Sequence, residues 1–198
     1  MGHIEQNAEL ERAAVALIRS GSISGLETLV RIHQGRAMRT AYAITHSRAA
    51  AEDVVADAFL RAYERIGLFD QTRPFGPWFL KIVVNLSIKE AGRSSMRRRL
   101  RLKWPGEQVA CADDPALTVE AWDRARHLRL AMRQLSPQLR AVLVLHYFLD
   151  LDVTETAGVL NCPVGTVKRR LHDARQKLHV RLGRDLEPDT SPRMEKRV

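Results

Sequence analysis

Cysteine is nearly absent from this chain: Cys111 and Cys162 are the only two among 198 residues. They stand far apart, with no second cysteine or histidine pair at zinc-ligand spacing, so both read as reduced thiols rather than as a disulfide or a metal site. Long apolar runs are missing too. No stretch approaches the roughly 18 residues of a spanning helix, and the start lacks the basic and apolar regions of a signal peptide. The expected compartment is the cytoplasm, with no insertion into a membrane. Strand-like alternation and Asn-Gly or Asp-Gly hairpin signals are likewise lacking. No glycine-rich phosphate loop follows a strand, and the seven histidines are scattered, so no nucleophile, base and orienting group assemble from local motifs. An enzyme is therefore the least favoured class, and no small-molecule substrate, cofactor or metal is expected.

What is present is helical patterning and positive charge. Apolar residues recur at spacings of three and four throughout, which predicts an all-α chain. There are 32 Lys and Arg against 23 Asp and Glu, a net charge of +9, which favours a polyanionic partner such as nucleic acid. The block 124–183 alone carries +7, whereas 1–23 and 184–198 are near neutral.

Ser24 and Glu27 form a capping-box pattern ahead of a stripe of Leu26, Leu29, Val30, His33, Ala37, Ala41 and Ile44. A second helix follows Ser47, with Val54, Val55, Ala58, Phe59, Ala62 and Ile66 inward and Glu52, Asp53, Asp57, Arg61 and Glu64 outward. Pro77 suits the first position of a third helix carrying Trp78, Phe79, Ile82, Val83 and Leu86. From Arg93 to Lys103 six of eleven residues are basic and none is acidic. Lys103 to Asp114, with Pro105 and Gly106, has no periodicity and reads as part of a linker. The division expected is an extension 1–23, a helical domain 24–96, a flexible linker 97–114, a second helical domain 115–183 and a tail 184–198.

In that second domain Asp114-Pro115 and Ser136-Pro137 each look like an N-cap followed by a first helical residue. Asp152 with Glu155 is another capping box, opening a short helix that ends near Leu160. Asn161 tolerates the left-handed conformation that stops a helix, and Pro163 can start the next. A short helix, a tight turn and a longer basic helix are the sequence form of a helix-turn-helix. In its second helix Val167, Leu171, Ala174 and Leu178 make one buried stripe, and between Lys168 and Arg181 there are six basic residues and one acid, Asp173. Thr166, Lys168, Arg169, Arg170, His172 and Asp173 are the candidates for base or backbone contact. Asp173 lies four residues from both Arg169 and Lys177, so it can pair with either, or it can accept from a cytosine amine.

These segments together resemble a known family. "LSPQLRAVLVLHYFLDLDVTETAGVLNCPVGTVKRRLHDARQKL" resembles the DNA-binding fourth region of bacterial sigma factors of the extracytoplasmic-function (ECF) group within the sigma-70 family. "AEDVVADAFLRAYERIGLF" followed by "WFLKIVVNLSIKEAGR" resembles that group's second region, in the family's order. The resemblance implies a dissociable subunit of RNA polymerase that directs promoter-specific initiation. It implies docking on a coiled coil of the largest core subunit through Asp53, Asp57, Phe59 and Arg61. It implies recognition and opening of the -10 element by Trp78, Lys81, Asn85, Lys89 and Arg93, although Trp78 reads as core before stacking platform. It implies reading of the -35 element by Thr166, Lys168, Arg169, Arg170, His172, Asp173 and Arg175, and control by an anti-sigma protein.

The chain departs from the family pattern at Ala56, where Gln is usual, at Lys89 and Gly92, where Asp and Arg are usual, and at Asp173, where a basic residue is common. Asp57 and Arg61 also stand at pairing distance along a helix, which is a second reading of that stripe. The rival function is a self-sufficient helix-turn-helix regulator that binds duplex DNA without polymerase.

Overall fold

The computed structural model describes the backbone of residues 2–100 and 119–182 and the side chains of 7–94 and 126–182. Cys111, most of the expected linker and the tail 184–198 lie outside the described residues. Within them the chain is helical, without a strand: α1 (Gly2–Arg19), α2 (Ser24–Thr45), α3 (Arg48–Glu64), α4 (Phe75–Leu100), α5 (Val119–Arg133), α6 (Pro137–Leu143), α7 (Val153–Leu160) and α8 (Val164–Leu182). A 3-10 turn at Ile66–Leu68 joins α3 to α4, and a π-turn at Val144–Phe148 extends α6.

The first four helices enclose an aromatic core. Phe79 stacks on Phe59 with ring centroids 4.4 Å apart, Phe75 lies 5.5–5.6 Å from Phe69, Phe79 and half-buried Trp78, and Phe69 lies 5.1 Å from Trp78. Inward-facing residues of α2 and α3 fill the remainder, with Leu29, Ala37, Ala41, Ala51 and Ala58 essentially sealed from solvent. The stripes read from the sequence are thus the ones buried.

Two local expectations need correction. The Ser24–Glu27 capping box does not form: Ile23 is the N-cap, with no side-chain cap bond, and Ser24 Oγ lies 2.7 Å from Ser22 Oγ instead. Ser24 is already the first residue of the helix and so lacks the extended backbone a cap requires. The segment 1–23 is also more than an extension. Ala14, Val15 and Ile18 of α1 are buried in the same core, and Arg19 donates to the Gly67 carbonyl at 3.0 Å. α1 and α2 approach so closely that a Cβ at Gly25 would collide with the Ala14 carbonyl, so only glycine fits there.

The second group, α6 to α8, buries Leu139, Val142, Ala157, Val167, Leu171 and Ala174. Ser136 caps α6 through the Leu139 amide, and the Asp152–Glu155 capping box is complete on α7. The two groups also pack against each other. Ile44, Leu80 and Val84 of the first form a third core with Ala141, Val144, Leu145 and Leu149 of the second, and every one of these is less than a tenth exposed. α4 therefore has two buried stripes: one facing α2 and α3, the other facing α6 and its π-turn.

Candidate nucleic-acid interface

The helix-turn-helix is built as the sequence implies. Asn161 ends α7 in the left-handed conformation (φ 49°, ψ 52°), and its amide bonds the Ala157 carbonyl. The Pro163 carbonyl accepts from the Thr166 amide at 2.9 Å, and three residues separate the end of α7 from the start of α8. Val167, Leu171 and Ala174 pin α8 to the core, which turns Lys168, Arg169, His172 and Arg175 outward, all exposed. Thr166, Arg170 and Asp173 are half-buried at the margin of that surface. Arg170 reaches back to Cys162, Nη1 to Sγ 3.9 Å, which fixes the guanidinium near the turn. Asp173 forms no ion pair with Arg169, Lys177 or any other described residue.

The second candidate face lies on α4. Lys81, Asn85, Lys89 and Arg93 recur every four residues and are all exposed, a cationic row with one amide in it. Trp78 sits half-buried at its start, against Phe69 and Phe75, so it packs as part of the aromatic core. Asn85 Nδ2 donates to its own helix at Lys81 O, 2.9 Å, and also approaches Val159 O of α7 at 3.4 Å. The row is thus in contact with the helix-turn-helix itself.

On α3 the proposed docking stripe is split. Asp53 is exposed, and Asp57 accepts from Arg61 Nε at 3.0 Å, so these two side chains order each other at the surface. Phe59 is corrected: at 6% exposure and stacked on Phe79 it belongs to the core, because the helix turns it 180° or so from the acidic face. The sequence reading missed Leu60, which is 59% exposed and adds an apolar side chain to the surface of α3 beside Ala56 and Asp57. Its signal was there: an apolar residue off the buried stripe of an otherwise well-patterned helix.

The remaining titratable group of note is His46, in the left-handed C-cap of α2 (φ 54°). Burial first, then Arg140 and Arg133, holds it down to about 3, while a hydrogen bond to the Met132 backbone acts the other way. No group of three or more metal-ligating side chains occurs among the described residues, and none of their helices is long and apolar enough to cross a membrane.

Comparison with known proteins agrees with this geometry. The sigma-70 region 2 family matches residues 29–99, and sigma-70 region 4 matches 125–178. The chain is 29% identical over 177 residues to the ECF RNA polymerase sigma factor SigW of Bacillus subtilis, covering 85% of this chain and 94% of that one. It is 30% identical over 178 residues to an RNA polymerase sigma-E factor of Streptomyces antibioticus, covering 89% and 95%. Among solved structures it is similar to CnrH, determined in complex with the cytosolic domain of CnrY, with a TM-score of 0.59, 26% identity and coverage of 87% and 97%. With both regions present in order, over nearly the full length of these relatives, the chain belongs to the ECF sigma factors of the sigma-70 family.

Proposed function

We propose that this sigma factor divides promoter recognition between its two helical groups. Residues 24–96, with α1 packed on them, dock on core RNA polymerase and open the -10 element. Residues 115–183 read the -35 element, and 97–114 link the two. The observation that carries the reading is the pairing, in one chain, of an exposed cationic row on α4 with a capped helix-turn-helix whose second helix concentrates the charge.

The roles follow from chemistry. Lys81, Lys89 and Arg93 offer cations to a strand backbone, and Asn85 offers an amide that can pair with the edge of an unstacked base. Lys168, Arg169 and Arg175 supply phosphate or base contacts in the major groove, with Thr166, Arg170, His172 and Asp173 beside them. An unpaired Asp173 is available to accept from a cytosine amine, which favours base reading over helix pairing. Asp53, Asp57, Leu60 and Arg61 form the surface offered to the coiled coil of the largest core subunit. The protein works in the cytoplasm alongside core polymerase and without chemistry of its own. Control by an anti-sigma protein belongs to the same proposal, and the sigma factor RpoE of Bartonella quintana, which shares the fold and was solved in complex with the anti-sigma factor NepR, supports it.

Run-off transcription with purified core polymerase tests the whole. The chain should co-elute with core and yield specific transcripts, and Asp53→Arg with Asp57→Arg should weaken core binding by about ten-fold or more with helix content unchanged. Binding to a palindromic duplex alone, with no core association, would establish the stand-alone regulator instead.

A further inference from the structure

The second helical group leaves an apolar groove open to solvent. It measures about 410 Å³, and Leu128 and Met132 of α5, Tyr147 and Phe148 of the π-turn, and Arg175 and Leu178 of α8 stand along it. Leu128, Tyr147 and Phe148 are each between 45% and 57% exposed. A contiguous apolar patch with charge at its rim marks a place where something binds. Among the described residues Arg175 is the one charged group on the wall, and it has no ion-pair or hydrogen-bond partner there.

Reach and charge both point to the chain's own continuation as the occupant. α8 ends at Leu182, and Gly183 follows, the residue type that most readily takes the left-handed conformation reversing a chain after a helix. Arg175 lies about 10 Å back from Leu182 along the helix axis, while the extended chain from Leu182 to Leu186 spans as much as about 13 Å. The segment 185–189 reads Asp-Leu-Glu-Pro-Asp, three carboxylates and no base around one apolar side chain. Extended backbone sends alternate side chains to opposite sides, and Pro188 biases Glu187 toward that backbone, so Leu186 is suited to the groove and Asp185 and Glu187 to its rim. A second copy of the chain is the poorer fit, because a net charge of +9, with +7 in 124–183, sets like charge against like. We propose that residues 185–189 return along α8, seat Leu186 in the groove and set Asp185 and Glu187 against Arg175. The chain thereby withholds one cation of α8 from nucleic acid. That consequence rests on the reading of α8 given above; the docking itself does not.

Hydroxyl-radical footprinting of the full-length chain, read residue by residue, tests the docking. Tyr147 and Phe148 should oxidise several-fold more slowly in the parent than in Leu186→Asp, which puts a charge where the groove requires an apolar group. Leu68, 83% exposed on the first group, serves as the unchanged reference, and circular dichroism checks that helix content is retained. Equal oxidation of Tyr147 and Phe148 in the two proteins would overturn the proposal. So would protection that disappears on dilution, since that assigns the groove to a second copy. Anisotropy titration with a duplex of arbitrary sequence at low salt tests the consequence. Leu186→Asp adds a negative charge and yet should bind about three-fold more tightly, because Arg175 is released, and the gain should vanish in Leu186→Asp with Arg175→Gln. Equal or weaker binding by Leu186→Asp, the result of added charge alone, would refute the withholding of Arg175. Footprinting involves neither promoter nor polymerase, so a chain that keeps the protection but fails in run-off transcription refutes the functional reading and leaves the docking intact.

Discussion

The two helical groups solve the same packing problem with different materials. The first interleaves Phe59, Phe69, Phe75 and Phe79 with alanines from α2 and α3, so that large rings fill the space between closely approaching helices. The buried cluster of the second has no aromatic residue among the described residues and relies on Leu139, Val142, Val167 and Leu171. Aromatic side chains bury the most area per residue and fix their neighbours' geometry. A rigid frame suits the strand-opening role proposed for the first group. A small aliphatic core suits an element whose work is done by charges on one outer face, since it needs only to orient α8.

That contrast can be broken most directly in the cores. Phe79→Ala should destabilise the chain by about 3–5 kcal/mol, and Leu171→Ala by roughly 2–5 kcal/mol, both measured by urea unfolding. The sharper readout is location: hydrogen exchange should accelerate chiefly in α2 to α4 for the first variant and in α6 to α8 for the second. Uniform acceleration in both would mean that the third core welds the groups into one cooperative unit.

A smaller effect should come from the seam. Val84 is fully buried against α6 and its π-turn and belongs to neither of the other two cores. Val84→Asp places an unpaired carboxylate there, at a cost of a few kcal/mol that separation of the groups relieves. Small-angle scattering should report a larger radius of gyration with helix content retained. An unchanged radius would show that the seam tolerates the charge.

The mildest test concerns pH. The folded chain keeps His46 neutral down to about pH 3, whereas the unfolded chain protonates it near its ordinary 6.5. The unfolded state thus binds the extra proton between those values. This contribution to stability is complete above about pH 6.5 and is lost progressively as pH falls toward 3. His46→Gln should reduce the acid-side slope by up to roughly 1 kcal/mol per pH unit, read from denaturant midpoints between about pH 7 and 5. A slope identical to that of the parent would assign the acid sensitivity to other groups.

Much of the fold was legible because local rules decided it. The caps at Ser136, Asp152 and Asn161, and the stripe Val167, Leu171, Ala174, depend only on residues within a turn or two of each other. The outward face of α8, with its candidate DNA contacts, followed from the same periodicity, whereas the row on α4 was named only through the family resemblance. Periodicity placed Phe59 inward, where it is found; only the docking role that came with the family resemblance failed, because a helix sends neighbouring positions to opposite faces. Ser24 was misread because a capping pattern competes with whatever precedes it, here the end of α1.

By itself, then, the sequence determined the helical class, the helix-turn-helix and the placement of positive charge, since each is set by periodicity and short-range hydrogen bonding. Leu80, Val84 and Ile88 also stood at spacings of four, a second apolar stripe on α4, but a stripe does not name what covers it. Only the tertiary structure decided that α6 and its π-turn cover it, that α1 joins the first core and that Arg133 and Arg140 meet His46. Those contacts join residues dozens of positions apart, and their geometry depends on every helix between them being in place.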